Sequence, residues 1–502
     1  MTKDGVQLLM PIILINPNLV VQSNDPLTTG VVYMPIALAY AGASLRAAGH
    51  DIKVIDAYAQ NPRKVRKESK FWIFGLTPQE VVEEIPKDSR VVVIYAINLT
   101  NHLSTIAILK HVRQVFPSIT IIILENTQAV TAYALKQVAS EFYNEKADYI
   151  LTGEAESRIS LLVEALKKND LKAIASMEGV GNKDFYNPPV SVIENLDALS
   201  LPAWDLFPLE NYWSLGFAHG PLSSERYLPL LTSRGCPYPC RFCVVPATNN
   251  QRWRSRTAMN VVDEMEHWVK CWNVKEFHIE DLDPTISDDR IREICHEIIR
   301  RQLKIIWKIA AGTKVETIRN EETIVLMAQA GCRYISISPE TGSARILKLM
   351  KKPFNLDHSI KLIKCMNKNN IRSQACFVLG FPGETHEDRR MTLRLVRNLT
   401  RQGVDEIALF IITPVPGSSI AEEFSGYQSL SELNFTPSWR KDYKVLVRFR
   451  MKVYIYFICW KSIFHSFKIA RQISNFMRRR FETKMEMVPY RAFMLRHWAS
   501  KV

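Results

Sequence analysis

Short runs of β-branched and aliphatic residues alternate with amphipathic stretches along most of the chain, and this alternation limits the fold more than any other feature. In the first third the runs are Ile12–Asn16, Ile52–Asp56, Val91–Tyr95, Thr120–Leu124 and Asp148–Thr152. Helical patterns fall near 36–48, 78–85, 103–115, 129–143 and 156–167. Runs this continuously apolar predict strands buried on both faces, hence a parallel sheet covered by helices. Five such units predict a doubly wound, Rossmann-like α/β domain over residues 1–182, with ligands at the carboxyl ends of its strands.

Residues 183–225 interrupt the pattern. Asn187-Pro-Pro and Leu201-Pro-Ala-Trp-Asp-Leu-Phe-Pro208 are too rich in proline for long regular elements and predict a linker. From Tyr227 the alternation restarts. Strand-like runs lie at Leu228–Thr232, Glu276–Glu280, Ile305–Ala310, Tyr334–Ser338, Gln374–Leu379 and Glu406–Ile411. Helical segments follow at 258–270, 288–301, 320–330, 343–369 with a break at Pro353, and 385–402. Six β–α repeats predict a partial (β/α)6 barrel over residues 226–425, with its chemistry at the strand C-terminal ends.

One such end carries Thr232-Ser-Arg-Gly-Cys-Pro-Tyr-Pro-Cys-Arg-Phe-Cys-Val-Val-Pro246, with Cys236, Cys240 and Cys243 at Cys-x3-Cys-x2-Cys spacing. Gly and Pro around them make this a loop. Three thiolates from one loop can hold three corners of a [4Fe–4S] cube and leave the fourth iron open to an exchangeable ligand. A structural zinc site takes four Cys or His ligands, and no His lies in or just after the loop. The other six cysteines scatter as single, core-like residues.

The cysteine loop, with Phe242 just before its last Cys, resembles the signature of the radical S-adenosylmethionine (SAM) enzymes. The resemblance implies that SAM binds the open iron and is cleaved reductively to a 5′-deoxyadenosyl radical. It also carries over further positions. Phe242 would lie beside SAM. In His278-Ile-Glu-Asp-Leu-Asp283, Glu280, with Asp281 second, would approach the SAM amino group; an acid here could equally be a helix cap, Asp283 among them. Ile337-Ser-Pro-Glu-Thr-Gly342 is similar to a Gly-Ile-Glu-Ser motif and offers Glu340 and Thr341, with Pro339 as a departure. Leu379-Gly-Phe-Pro-Gly-Glu-Thr385 matches a further signature, although Glu384 and Thr385 would also suit a helix start.

The first domain resembles the cobalamin-binding-like domain that precedes many of these barrels. Pro35–Asp56 matches its first helix and second strand, and Gly153-Glu-Ala-Glu156 its closing turn. Two features depart from that pattern. Glu125-Asn-Thr-Gln128 replaces a glycine-rich turn and is expected to crowd a ligand that lies close to the backbone, and no axial His motif is present. The domain is therefore either a cobalamin site or a retained scaffold, with His50 and His102 as surface or loop residues.

The net charge of +14 is concentrated at one end. From Arg440 to Val502 there are 16 Lys/Arg and three acids, so this stretch carries +13 and the rest +1. With Val453, Tyr456, Phe457, Trp460, Phe464 and Phe467 at three- and four-residue steps, residues 426–502 read as a helical, basic, aromatic tail. Such a tail suits either packing on the barrel or peripheral contact with an anionic membrane surface, and less well a nucleic acid. Nine cysteines without a leader pattern point to the cytoplasm, extending to the inner membrane surface if the tail binds lipid.

The leading function is thus a radical SAM enzyme with [4Fe–4S], SAM and cobalamin. It would methylate an unactivated carbon of a lipid or other small molecule and draw electrons from a flavodoxin or ferredoxin. The alternatives are cyclisation, oxidation or rearrangement without cobalamin, and a non-enzymatic iron–sulfur regulator.

Overall fold

A computed structural model describes residues 11–352 and 354–501. The break expected at Pro353 lies outside the described residues. The N-terminal part contributes β1 (Ile12–Asn16), β2 (Leu19–Gln22), β3 (Ile52–Asp56), β4 (Val65–Glu68), β5 (Phe71–Phe74), β6 (Val91–Ala96), β7 (Thr120–Glu125), β8 (Tyr149–Leu151) and β9 (Val180–Gly181). Strands β10 (Tyr227–Leu230), β11 (Ser233–Arg234), β12 (Arg254–Ser255), β13 (Glu276–Ile279), β14 (Ile306–Thr313), β15 (Cys332–Glu340), β16 (Arg372–Leu379) and β17 (Glu406–Ile411) follow.

The first sheet has the order β3-β1-β6-β7-β8-β9. All its pairs are parallel except β8–β9. Successive side chains take opposite faces, so Ile13 and Ile15 enter one apolar layer and Ile12 and Leu14 the other. The order of the strands along the chain reverses between β1 and β6. The crevice above those two carboxyl ends is the expected ligand position of a doubly wound sheet. A small antiparallel sheet, β2-β5-β4, has no counterpart in the sequence reading. Its strands are four residues long, too short for a periodicity to register.

The second sheet, β10-β13-β14-β15-β16-β17, is wholly parallel and is the expected six-stranded partial barrel. Its first and last strands do not pair, which leaves a lateral gap. Residues 217–223 and 481–485 run across that gap. The Phe481 N–H donates to the Leu222 carbonyl at 2.7 Å, and the Ser223 hydroxyl donates to the Phe481 carbonyl at 3.2 Å.

The basic tail is therefore part of the barrel wall as well as a surface. Its three helices are Tyr443–Phe464, Ser466–Arg478 and Lys484–Ala499. Leu446, Val453 and Phe457 of the first helix are buried in the main core. The third helix reaches the N-terminal domain. There the Trp498 ring meets Phe74 and Phe217 with centroids 6.4 and 6.0 Å away, and the Leu495 methyl occupies the space beside Gly30. A Cβ at Gly30 would stand 2.6 Å from that methyl.

The linker packs in the same way. Trp204 and Tyr212 are fully buried, and the Tyr212 hydroxyl donates to Asp56 at 2.7 Å. Apolar burial at roughly 1.5–3 kcal/mol per large side chain makes the linker and third helix a joint between the two sheets.

Candidate functional site

The cysteine loop begins where β10 ends, and its base is a two-residue antiparallel ribbon, β11 against β12. Gly235 turns the chain out of β11 with φ +79° and no room for a side chain: a Cβ would lie 1.9 Å from the Arg252 carbonyl oxygen. Asp281, just past β13, is fully buried under the ribbon. It accepts from the Thr232 N–H at 2.7 Å, the Thr232 hydroxyl at 2.6 Å and the Ser233 hydroxyl at 2.5 Å. Asp281 is thus a fixture of the loop, which explains an acid at that strand end.

Two buried ion pairs tie the same ribbon to the N-terminal domain. Arg234 meets Glu156 at 2.6 Å and Arg254 meets Glu154 at 2.8 Å, all four side chains under a tenth exposed. The Gly153-Glu-Ala-Glu156 turn therefore clamps the root of the cysteine loop. Sequence spacing gave no sign of these pairings, which join residues 78 and 100 positions apart.

The three thiols are partly buried and free. Burial pushes Cys236 and Cys243 up to about 12 and also raises Cys240. Metal binding must therefore release protons. No three His, Cys, Asp or Glu side chains among the described residues converge on a single ion. A four-iron cube is larger and takes thiolates arranged around it. The Val245 N–H points at Cys243 Sγ from 3.5 Å, the kind of donor that tunes cluster sulfur.

Phe242 anchors the loop. It packs on the cluster of Ile346, Met350, Val378, Phe381, Ile412 and Ile420, while the neighbouring Arg241 N–H donates to the Met350 carbonyl at 3.0 Å.

The charged groups that act on the thiols are Lys352, Glu340, Lys314 and Asp283. Glu340 ends β15 in the left-handed region, φ +61°, which is costly for a residue with a Cβ. Lys352 holds its carboxylate at 2.5 Å, and the Thr341 N–H closes a tight turn onto the Pro339 carbonyl at 2.7 Å. Such a backbone persists only where its surroundings fix it, and here they aim Glu340 toward the cysteine loop. Burial raises Asp283 to about 6, although the Thr313 and Thr285 hydroxyls donate to it. The helix after β13 is capped by Ser287, not by Asp283.

Two expected positions have other partners. Thr341 is fully buried, and its hydroxyl is shared between Thr392 Oγ1 at 3.0 Å and the Ser343 N–H at 3.2 Å, so it fixes the turn that presents Glu340. Glu280 pairs with His219 Nδ1 at 2.7 Å, in a layer with Lys484, whose ammonium donates to the Ala310 carbonyl at 2.9 Å and lies 3.5 Å from His219 Nε2. The tail thus supplies a cation to the barrel interior, a contribution no local pattern could reveal. Thr385 caps the helix His386–Gln402 in a capping box with Asp388, and Glu384 accepts from the Gly380 N–H at 2.9 Å. Thr385 thus serves the helix start, and Glu384 closes the loop that precedes it. His102 is buried between Tyr133 and Glu141 at a helix start, and His50 is buried beside Lys167; neither is a surface residue, while His50 is a loop residue as expected.

Above the crevice between β1 and β6 lies a narrow cleft of about 20 Å³, lined by Thr29, Tyr33, Asn98, Thr100, Thr131 and Phe435 among others. Glu125 does not crowd it. Its carboxylate turns back into its own loops and accepts from the Leu135 and Gly153 N–H groups at 2.8 and 2.7 Å. Asn126 donates to the Ile97 carbonyl at 2.7 Å. At the junction with the barrel, Asn249 donates to the Thr127 carbonyl at 2.9 Å. The Gln128 Oε1 and Asn249 Oδ1 acceptors are buried there without a donor. Buried acceptors without donors are costly, and the peripheral amide N–H groups of a corrin would satisfy them. At these two acceptors the residues present fit that group.

Residues 230–396, which include all three loop cysteines, match the model of the Radical SAM superfamily. An uncharacterized methyltransferase of Pyrococcus horikoshii is 30% identical over 296 residues, which is 59% of this chain and 61% of that protein. The cytidylyl-2-hydroxyethylphosphonate methyltransferase of Streptomyces wedmorensis is 26% identical over 454 residues, 82% of this chain and 81% of that one. Among solved structures, the radical S-adenosylmethionine methyltransferase TsrM of Kitasatospora setae, with cobalamin and a [4Fe–4S] cluster bound, aligns with TM-score 0.60. That alignment covers 83% of this chain and 76% of TsrM at 16% identity, a likeness of fold.

Proposed function

We propose that this chain, a radical SAM protein, is a cobalamin-dependent methyltransferase that acts on an unactivated carbon of a small molecule. The observation that carries the reading is the cysteine loop at the end of β10, locked by Arg234–Glu156 and Arg254–Glu154 to a doubly wound domain, in a fold like that of TsrM, whose structure has cobalamin and a [4Fe–4S] cluster bound. When bound, cluster and SAM supply a carbon-centred radical that removes a substrate hydrogen, and cobalamin supplies a methyl group.

This chain's own residues do the rest. Cys236, Cys240 and Cys243 bind three irons. Phe242 keeps their loop folded onto the barrel. Glu340, set by Lys352 and by the Thr341 turn, offers a carboxylate to the SAM side of the site, with Asp283 close by. Glu280, His219 and Lys484 form a polar layer in the barrel interior and would orient the substrate there. Thr127, Gln128, Asn249 and the cleft residues Tyr33 and Thr131 would hold cobalamin between the two sheets. The tail segment across the lateral gap would shield the barrel interior from water.

The finer readings belong to the same proposal. They are the division into residues 1–182, 183–225, 226–425 and 426–502, a lipid or secondary metabolite as substrate, a flavodoxin or ferredoxin as electron donor, and tail contact with the inner membrane surface. No helix of the described residues is long and apolar enough to cross a membrane.

The test is 5′-deoxyadenosine formation by anaerobically reconstituted protein given SAM and a low-potential reductant. Wild type should form it and Cys240→Ala should not. An intact, reducible cluster that never cleaves SAM would leave the regulator as the better reading.

A further inference from the structure

The cations of the tail fall into two sets. One is internal. Arg450, Lys461 and Lys468 are buried, and Lys468 and Arg471 both reach Asp405 Oδ1, at 2.9 and 3.1 Å. The other set faces solvent: Lys444, Arg448, Lys452, Arg478, Arg479 and Arg480. There is no Asp or Glu between Tyr443 and Phe481. The acids at the borders are already engaged, Asp442 by Arg440 at 2.7 Å and Glu482 by Arg372 at 2.7 Å. The outer surface of the first two tail helices therefore carries positive charge alone.

The same surface is apolar. On the first helix, Leu446, Arg450, Val453, Phe457 and Lys461 form the inward stripe, and Met451, Ile455, Ile458 and Ile463 stand on the outward side. The second helix exposes Phe467, Ile473, Phe476 and Met477. Ile463 is 74% and Met477 75% exposed. Of the 22 exposed large hydrophobic residues among the described residues, 12 lie from Val445 to Phe493, about a tenth of the chain. So strong a concentration marks an interaction surface.

Its chemistry selects the partner. A second copy of the chain would set six cations against the same six, which repels. A nucleic acid would meet the cations but has no use for exposed Ile and Met side chains. An anionic bilayer satisfies both, with aliphatic and aromatic side chains in the acyl boundary and Lys/Arg among the headgroups.

We propose that the outward face of Tyr443–Phe464 and Ser466–Arg478 docks flat on a bilayer rich in anionic lipid, anchored by Ile455, Ile463, Phe467 and Met477 and steered by Lys444, Arg448, Lys452 and Arg478–Arg480. This deepens the membrane contact named under the proposed function and depends on no step of the chemistry.

The experiment is co-sedimentation of the full-length protein with phosphatidylcholine vesicles, with and without phosphatidylglycerol. Binding should require phosphatidylglycerol and fall with salt. Lys444→Gln/Arg448→Gln/Lys452→Gln should weaken it about 100-fold, and Ile463→Gln/Phe467→Gln/Met477→Gln should abolish it. All six side chains are exposed, so both variants should keep the wild-type thermal midpoint. Folded wild type that ignores anionic vesicles overturns the proposal. So does sedimentation velocity that shows a dimer dispersed by the apolar triple variant, or equal binding to neutral vesicles. None of these readouts needs cluster or SAM, so failure of the enzymatic reading would leave them unchanged.

Discussion

The Lys352 ammonium lies 2.5 Å from Glu340 Oε1, with both side chains buried beside the cysteine loop. Burial alone would lower Lys352, but Glu340, Cys240 and Asp283 outweigh it and hold the lysine protonated. Lys352→Met leaves the Glu340 carboxylate buried without a cation, which costs about 3–5 kcal/mol. Lys352→Met/Glu340→Gln should recover most of that loss in thermal denaturation, because no charge remains to strand. It should still fail to bind SAM in calorimetry of the reconstituted protein. Full SAM affinity in the double variant would make the pair purely structural.

Much of this architecture was legible because it is local. All eleven strand runs are present, and three of them, Ile12–Asn16, Ile52–Asp56 and Glu406–Ile411, match their strands at both ends. The cysteine loop was legible because Gly and Pro spacing reports a turn directly. The partners of the loop were not. Arg234 finds Glu156, Asp281 finds Thr232, and Lys484 finds Ala310 and His219 only after both sheets and the tail have assembled. The sequence leaves the tail either packed on the barrel or in contact with a membrane surface, because its charge is visible in sequence and its partners are not. That Asp405 would draw Lys468 and Arg471 against the barrel is not legible there. Even Glu125, read as an obstruction, turns away from the crevice because two backbone N–H groups claim its oxygens.

That carboxylate gives a pH prediction. Burial lifts Glu125 from the usual 4.5 to about 7, against the pull of the Gly153 and Leu135 N–H groups. Its folded-state value is the higher one. Between about 4.5 and 7 the folded protein therefore binds the extra proton, and stability falls as pH rises through that window. The loss amounts to roughly 3 kcal/mol for this one group. Urea denaturation across that range should show a shallower slope for Glu125→Gln than for wild type. An unchanged slope would mean that Glu125 stays ionised throughout.

Removal of the tail should not yield a soluble enzyme core. Truncation after Ser438 uncovers the lateral gap between β10 and β17 and strands the fully buried Asp405 without Lys468 and Arg471. It also deletes Val453, Phe457, Phe481, Leu495 and Trp498 from the main core, at roughly 1.5–3 kcal/mol each. The total exceeds the usual margin of a folded protein. The truncated chain should be insoluble or lack a cooperative melt. A sharp thermal transition near that of wild type would show the tail to be peripheral. For the same reason, membrane binding is better probed with surface substitutions than with deletion.

Cobalamin content after anaerobic purification from cobalamin-fed cells tests the joint between the domains. Gln128 Oε1 and Asn249 Oδ1 are buried acceptors without donors, and an unpaired buried polar group costs about 1–3 kcal/mol. A corrin whose amides fill that role would be retained stoichiometrically, as seen in its visible absorbance and by mass spectrometry. Gln128→Leu/Asn249→Leu then separates two accounts of the same acceptors. If they wait for cobalamin, the variant should lose the cofactor, by about 10-fold or more in affinity, while its apo form becomes no less stable. If they are satisfied by ordered water, the variant should retain cobalamin and melt earlier. A wild-type protein with four irons per chain and no cobalamin would decide against methyl transfer. The first domain would then be a scaffold whose task is to hold Glu154 and Glu156 against the arginines of the cysteine loop.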